Sequence, residues 1–267
     1  GKVVEEPMSV AGGVILRGEV IDDPTLPGKW NALRSAIQRN GFENVVEEAA
    51  YTWFNRMMAI RIMAKNNYDL PQLEYDAEGS HTPLILTRAR RGIMGFLSQR
   101  EKARVSPLLG DYSQEQKTFA ILLTGYCHHH RLLNRIFGRL NDYTELLLPD
   151  NTLSETGFLY LLNTSDAISD EDYRKVELIG WLYQFYISEK KDQVFASFKK
   201  NKKADAADIP AATQIFTPNW IVKYMVQNTV GRLWLDNHPE SPLKEKMKYL
   251  VESPQEPSPA GNEERLE

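Results

Sequence analysis

The sequence contains a single cysteine, Cys127, among its 267 residues. One cysteine cannot form an intramolecular disulfide, which excludes a disulfide-stabilised secreted domain and favours a reducing compartment. No apolar run approaches the roughly 20 residues that a membrane-spanning helix needs. The first residues also lack a positively charged segment followed by an apolar one, so no signal peptide is predicted. We therefore expect a cytoplasmic protein without membrane contact.

The chain also lacks an excess of positive charge. Its 32 Lys and Arg residues stand against 36 Asp and Glu residues, for a net charge of −4. This balance excludes a globally basic nucleic-acid binder, so any nucleic-acid surface has to be a local patch. A hydrophobic fraction of 42% is ordinary for a globular protein with a sizeable core. Gly1 and the final pair Leu266-Glu267 suggest a piece of a longer protein that ends in a tag remnant.

Credible strands are scarce, and helical periodicity dominates from Trp30 onward. We predict a mainly α, multi-helix fold with few or no strands. The predicted parts are a loop-rich segment at 1–28 with one short strand around VILRGEVI, a helical domain at 29–200, a lysine-rich linker at 201–213, a helical segment at 214–250 and a disordered tail at 251–267. The tail is proline-rich and acidic, a composition typical of disorder.

Spacing and capping residues predict the individual helices. The predicted ranges are 30–40, 42–67, a segment after Thr82-Pro83, 113–140, 154–163, 169–191, 192–201 and 218–236, with a last short helix around LKEKMKYLV. Ser113 and Ser169 are predicted N-caps, and in each Thr-Pro pair threonine is the predicted N-cap with proline in the first turn. Trp53, Trp181 and Trp234 are predicted core residues.

The stretch QIFTPNWIVKYMV at 214–226 places one of these Thr-Pro pairs before an amphipathic run. The free N–H groups of a helix start, together with the positive end of its dipole, can bind a carboxylate or a phosphate. Phe216, just before the predicted cap, could lie against a flat ligand. The alternative is a helix start with a purely structural role, which is the commoner case.

The same stretch resembles motif X of the amino-group DNA methyltransferases, in which Phe-Thr-Pro or Tyr-Thr-Pro precedes a helix and contacts S-adenosylmethionine. The longer segment AATQIFTPNWIVKYMVQNTVGRLWL resembles that of the phage-exclusion (BREX, PglX-type) adenine-specific DNA methyltransferases. EEAAYTWFNRMMAIRIM at 47–63 resembles their N-terminal helical region. The two matches come in the family's order and span at least residues 42–236.

The resemblance implies a parent enzyme that transfers a methyl group from S-adenosylmethionine to adenine N6 in duplex DNA, within a phage-defence or restriction-modification system. It implies that Phe216, Thr217 and Pro218 touch the cofactor, beside Ile215 and Gln214. It also implies that the following helix packs on the catalytic domain's sheet through Trp220, Ile221, Tyr224 and Met225. For these four side chains we prefer the alternative, which is simple core packing.

The sequence departs from the family at its catalytic motifs. No Gly-x-Gly follows residue 218, and no Pro-Pro pair occurs anywhere, so the glycine-rich and Asn-Pro-Pro-Tyr type motifs are absent. We therefore expect no catalytic residue in this chain and no methylation by it alone. Its expected role is to brace the catalytic domain and contact DNA. The alternative is a helical protein-interaction module that docks other defence subunits.

Basic residues cluster between positions 88 and 104, where six cations oppose only Glu101. They are Arg88, Arg90, Arg91, Arg100, Lys102 and Arg104. Arg131, Arg135 and Arg139 recur every four residues and so share one helical face. The cluster predicts contact with DNA phosphates, which position a duplex without reading its sequence. The alternative is a solvated or salt-bridged helix face.

The run Cys127-His128-His129-His130 invites a metal interpretation. Consecutive helical residues point about 100° apart, so the three histidines cannot converge on one ion. Only Cys127 and His130 could share a face, and two ligands make a weak site. We expect no metal.

Overall fold

The computed structural model describes residues 6–11, 13–16, 18–77, 80–137, 143–199, 203, 208–213 and 216–251. The described chain is mainly helical with one small sheet, which confirms the predicted fold class. It divides into two compact units, Gly1–Arg174 and Lys175–Glu267. Among the described residues, no helix has the length and apolar character needed to cross a membrane.

The sheet of the first unit is an antiparallel meander in the order β1-β2-β3. Its strands are Met8–Val10 (β1), Gly13–Leu16 (β2) and Glu19–Ile21 (β3). The stretch VILRGEVI, predicted as one strand, forms parts of two strands. Gly18 takes a φ of 78° between them, a conformation that suits glycine and lets the chain reverse.

The described residues of the first unit form seven α-helices after the sheet. They are α1 (Leu26–Asn40), α2 (Phe42–Lys65), α3 (Leu84–Arg90), α4 (Gln99–Val105), α5 (Glu115–His129), α6 (Arg131–Phe137) and α7 (Phe158–Thr164). Short 3₁₀ helices occupy Ser106–Leu108, Tyr112–Gln114, Tyr143–Leu147 and Asp172–Arg174.

Helix α2 is the centre of the first unit, and the prediction of a long helix from Phe42 is confirmed. Trp53 is buried as predicted, and its Nε1 donates to the carbonyl of Thr144 at 2.8 Å. The guanidinium of Arg56, also buried, reaches the Thr144 hydroxyl at 3.3 Å and lies over the Trp53 ring. These contacts attach the Tyr143–Leu147 turn to α2 although about ninety residues separate them in sequence.

Two predicted helices are interrupted. The segment after Thr82-Pro83 ends at Arg90, because Gly92 takes a φ of 79°. The predicted helix 113–140 breaks at His130, whose ψ of 117° is extended, so Arg131 and Arg135 lie on the separate helix α6. Ser113 is not its N-cap, because Gln114 holds that position and the Ser113 amide donates to Asp111. Residues 138–142, with Arg139, lie outside the described residues.

The second unit contains α8 (Leu178–Phe198), α9 (Ile209–Thr213), α10 (Asn219–Asn228), α11 (Val230–Asn237) and α12 (Leu243–Lys246). The prediction of a helix from Ser169 is wrong. Ser169 and Asp172 exchange hydrogen bonds around the short 3₁₀ helix, and α8 starts only at Leu178. Helix α8 then continues through 192–198, where a separate helix was predicted.

Large apolar side chains of the second unit remain exposed. The prediction that Trp181 and Trp234 are core residues is wrong: they are 39% and 45% exposed. Trp234 instead stacks on His238 with ring centres 3.8 Å apart and donates to the Ser241 hydroxyl. Helix α10 has no buried residue at all. The described residues therefore do not supply a core for α10.

Candidate cofactor and nucleic-acid surfaces

The Phe-Thr-Pro sequence forms the entry to α10. Pro218 is extended, with ψ of 138°, and its carbonyl accepts the N–H groups of Ile221 at 3.0 Å and Val222 at 3.2 Å. The predicted cap is therefore wrong by one residue: Pro218 holds the cap position and Thr217 makes no capping bond. The pair Thr82-Pro83 behaves alike, with Pro83 extended before α3. Proline fixes φ but leaves ψ free, so it also suits the residue just outside a helix.

The start of α10 leaves two donors free. The N–H groups of Asn219 and Trp220 precede the first intrahelical bonds and have no acceptor among the residues described. Phe216, Thr217 and Pro218 beside them are exposed. Free N–H groups at the positive end of a ten-residue helix can bind a carboxylate or phosphate. Gln214 and Ile215 lie outside the described residues.

Phe216 lies against the start of α8 in the same unit. A methyl group built on Gly180 would be 2.0 Å from Cζ of Phe216, which is far inside van der Waals contact. Phe216 is 39% exposed, so one edge of its ring contacts the α8 backbone while part of the residue remains accessible. The geometry gives an aromatic ring held at one side beside the free amides of α10.

The four side chains of α10 that were predicted to pack are exposed or only half-buried. Trp220, Tyr224 and Met225 are exposed and Ile221 is half-buried. Core packing, the alternative for these four residues, is therefore not realised among the described residues. Exposed apolar area of this extent on one helix is typical of a surface that another segment covers.

Four of the six cations between 88 and 104 have intramolecular partners. Arg88 donates to the carbonyl of Pro71. Arg90 binds Glu115 at 2.5 Å and lies 4.7 Å from the centre of the Tyr112 ring. Arg100 and Arg104 pair with the neighbouring carboxylates of Asp22 at 2.8 Å and Asp23 at 3.7 Å. The salt-bridged alternative thus describes Arg90, Arg100 and Arg104, while the partner of Arg88 is a backbone carbonyl.

The other cations of the predicted surface have no such partner. Arg91, Lys102, Arg131 and Arg135 form no ion pair with any carboxylate in the described part of the chain. Arg91, Arg131 and Arg135 are exposed, and Lys102 is half-buried. Of the eight predicted DNA-binding residues, these four keep their charge available for an external anion.

The histidine run binds three different carboxylates. Nε2 of His128 lies 2.7 Å from Oε1 of Glu145. Nε2 of His129 lies 3.0 Å from Oε2 of Glu101, and Nε2 of His130 lies 3.1 Å from Oδ2 of Asp69. Burial raises the pKa of the Cys127 thiol to about 12, so it is a poor metal ligand at neutral pH. Within the described ranges, no group of three His, Cys, Asp or Glu side chains is arranged to hold a metal.

A buried ionic cluster joins α1, α4, α5 and the turn at 143–147, and no pattern in the sequence indicates it. Nζ of Lys29 lies 2.6 Å from Oε2 of Glu145, and Oε1 of Glu145 lies 2.7 Å from Nε2 of His128. Burial alone would raise the pKa of Glu101, but hydrogen bonds from His128, from the Ser98 side chain and amide, and from His129 outweigh burial and lower it.

A cavity of about 430 Å³ borders this cluster and the turn at 22–25. Its charged lining groups are paired with one another: Arg100 with Asp22, Arg104 with Asp23, and Lys29 with Glu145. The pairing assigns these groups to structure. They are far apart in sequence, so only the fold shows that they meet.

Comparison with known proteins confirms the resemblance found in the sequence. The chain is 43% identical, over 237 residues, to the adenine-specific methyltransferase BrxX of Escherichia coli O9:H4 (strain HS). It is 34% identical, over 215 residues, to the adenine-specific methyltransferase PglX of Lacticaseibacillus casei (strain Zhang). The matches cover 88% and 72% of this chain but only 19% and 16% of those relatives. No family model matches the chain.

Proposed function

Because the chain is homologous to part of the adenine-specific methyltransferases BrxX and PglX, we propose that it is the N-terminal helical part of a DNA adenine-N6 methyltransferase. The proposed enzyme uses S-adenosylmethionine and serves a phage-defence system of the phage-exclusion type. The observation that carries this proposal is the homology over 88% of the chain. The exposed Phe-Thr-Pro turn at the start of α10 supports it.

In this proposal the turn supplies one side of the cofactor site. Phe216, Thr217 and Pro218 border the cofactor, and the free N–H groups of Asn219 and Trp220 donate hydrogen bonds to its carboxylate. S-adenosylmethionine supplies the methyl group when it is bound. The chain itself contains neither the glycine-rich nor the Asn-Pro-Pro-Tyr type motif. The chain alone is therefore proposed to be inactive.

The bracing role rests on the second unit. The exposed apolar side chains of α10 and α11 include Trp220, Met225, Val230 and Leu233. Since the chain spans less than a fifth of the length of its relatives, the remainder of such an enzyme is large enough to cover them. The proposed brace is this apolar surface packed on the catalytic domain.

The DNA contact is proposed for Arg91, Lys102, Arg131 and Arg135, the four cations that form no ion pair within the described ranges. Arg131 and Arg135 lie one turn apart on α6, and both are exposed. Their charge is free to neutralise phosphates, whereas that of Arg100 is compensated by Asp22. Such contacts position the duplex and leave sequence recognition to other parts of the enzyme.

Titration with duplex DNA tests this surface. The wild-type chain is compared with Arg131→Gln/Arg135→Gln and with the control Arg100→Gln, each at several salt concentrations. Loss of two phosphate contacts should weaken binding and reduce the slope of log K against log salt by about 2. The control should keep the wild-type slope. Equal slopes in the double variant and the wild type would remove α6 from the DNA surface.

A methylation assay with labelled S-adenosylmethionine tests the enzyme proposal. We expect no transfer to adenine by the chain alone and transfer by the full-length enzyme. In the full-length enzyme, Phe216→Ala should weaken cofactor binding. Methylation by the isolated chain would overturn the proposal that its catalytic motifs lie elsewhere, and a full-length protein without adenine methylation would overturn the enzyme class.

The second candidate function is a helical docking module for other defence subunits. The exposed apolar helices of the second unit favour it, because such surfaces mark protein interfaces. Binding to a protein partner that survives high salt, together with no DNA binding, would support this alternative. Association that weakens steeply with salt would support the DNA contact.

A further inference from the structure

We infer that Gly180 is a positioning residue for the Phe-Thr-Pro turn. Its missing side chain makes room for the ring of Phe216, so helix α8 fixes where that ring stands. The consequence for cofactor binding rests on the proposed function. The packing of Phe216 on α8 does not, and it can be tested by itself.

The contact is unusually close. A Cβ atom built on Gly180 would lie 2.0 Å from Cζ, 2.1 Å from Cε2 and 2.3 Å from Cδ2 of Phe216. All three atoms belong to one edge of the same ring. Any side chain at position 180 would therefore have to displace the ring, because the helix backbone offers no other space for it.

The backbone conformation does not require glycine at this position. Gly13, Gly18, Gly41 and Gly92 have positive φ angles, and Gly180 does not. Gly180 is the third residue of α8, where alanine would favour the helix by about 1 kcal/mol. The space that glycine leaves for Phe216 explains its presence, since local propensity argues against it.

Anchoring the ring has a consequence for the residues that follow. Thr217 and Pro218 are the only residues between Phe216 and the first residue of α10. A ring fixed on α8 therefore holds the turn close to the free amides of Asn219 and Trp220. The exposed part of the ring stays available as a flat apolar surface. A turn ordered before binding avoids the entropic cost of ordering it with the ligand.

The packing is tested in the chain itself. 4-Fluorophenylalanine is placed at position 216, and its ¹⁹F resonance is compared in wild type, Gly180→Ala and Gly28→Ala. Gly28 is a matched control, because it is also the third residue of a helix and a methyl group there meets nothing within 4 Å. We expect the resonance to move in Gly180→Ala alone. An unchanged resonance in Gly180→Ala overturns the inference.

A thermal-unfolding cycle covers the case in which Gly180→Ala folds poorly. If the added methyl group acts through the ring, Gly180→Ala should lower the melting temperature in the wild-type background and not in the Phe216→Ala background. Equal losses in both backgrounds overturn the inference. Gly28→Ala should change the melting temperature by the same amount in the wild-type and Phe216→Ala backgrounds.

The positioning role is tested by S-adenosylmethionine titration of the full-length enzyme. We expect Gly180→Ala to raise the cofactor Kd about tenfold or more, Gly28→Ala to leave it unchanged, and Gly180→Ala to add nothing in a Phe216→Ala background. A moved ¹⁹F resonance with an unchanged Kd overturns the positioning role. A wild-type enzyme that binds no cofactor overturns the proposed function, and with it this role, while the ¹⁹F result still decides the packing.

Discussion

Lys29 is 94% buried, since only 6% of its surface is accessible. Its ammonium group lies 2.6 Å from Glu145 and 3.6 Å from Asp23. Removing a charged group from water costs free energy, and the paired carboxylates offset that cost. Glu145, itself only 7% exposed, also meets His128. One buried cation therefore links α1 to the turn at 143–147 and to the end of α5.

The first prediction concerns this pair. Lys29→Met should lower the free energy of unfolding by about 3–5 kcal/mol, because it leaves a buried carboxylate without its cation. Lys65→Met is the control, since its partner Asp170 is exposed and such pairs contribute about 1 kcal/mol or less. Urea unfolding measures both. Equal losses in the two variants would contradict the assignment of Lys29 to a buried pair.

The second prediction concerns pH. The folded-state pKa of Glu101 lies below its ordinary value of 4.5, so its contribution to stability is complete above that value. The contribution is lost as the pH falls through and below it. Unfolding midpoints from pH 6 down to about pH 3 should therefore fall more steeply in wild type than in Glu101→Gln. Parallel profiles would show that Glu101 is not stabilised in its charged form.

At the scale of elements, the predicted helices are confirmed where the residues of the helix itself are enough to determine it. Helix α2 needs only its apolar positions and the absence of proline and glycine. At the break, Asp69, sixty-one residues before His130, accepts a hydrogen bond from Tyr126 and lies 3.1 Å from Nε2 of His130. Such a partner cannot be identified from local periodicity, because it comes from a distant loop.

The same limit applies to the candidate sites. The Phe-Thr-Pro motif was identified because its residues are contiguous. The basic cluster was identified as a run of charge, yet Arg100 is paired with Asp22 from seventy-eight positions earlier. The sequence shows how many cations the cluster contains, whereas only the fold shows which of them form ion pairs with distant carboxylates.

The third prediction concerns the close packing of α4 and the residues just before it against α5. A methyl group on Gly125 would lie 2.3 Å from Cδ2 of Leu97 and 3.2 Å from Oε1 of Glu101. Gly125→Ala should therefore destabilise the chain by about 1–3 kcal/mol, because overpacking outweighs the gain in helix propensity. Gly28→Ala, with open space around it, should be neutral or stabilising. Thermal unfolding of both variants decides, and a stabilised Gly125→Ala would exclude close α4–α5 packing.

At the scale of the whole molecule, the two units differ in how they cover apolar surface. The first unit buries large side chains such as Trp53, Phe119 and Leu122. The second leaves most of its large side chains exposed, including Phe185 at 78%. A contiguous apolar surface in water favours association. The second unit is thus the part of the chain whose stability depends most on a covering segment.

The fourth prediction follows from that difference. Trp220→Gln/Met225→Gln should reduce self-association of the isolated chain and raise its apparent dimer dissociation constant about tenfold. Phe42→Gln, an exposed residue of the first unit, should change it less. Sedimentation velocity over a range of concentrations measures both. Equal behaviour of the two variants would show that α10 has no special part in association.

Cys127 lies in the interior of the first unit, 3% exposed, with its thiol pKa raised to about 12. A thiol reagent reaches it only when the surrounding helices separate, since the native side chain offers neither access nor thiolate. The rate at which Cys127 is modified under native conditions therefore reports how readily the first unit opens. A second cysteine added at the surface would be labelled before Cys127, because it needs no opening of the unit.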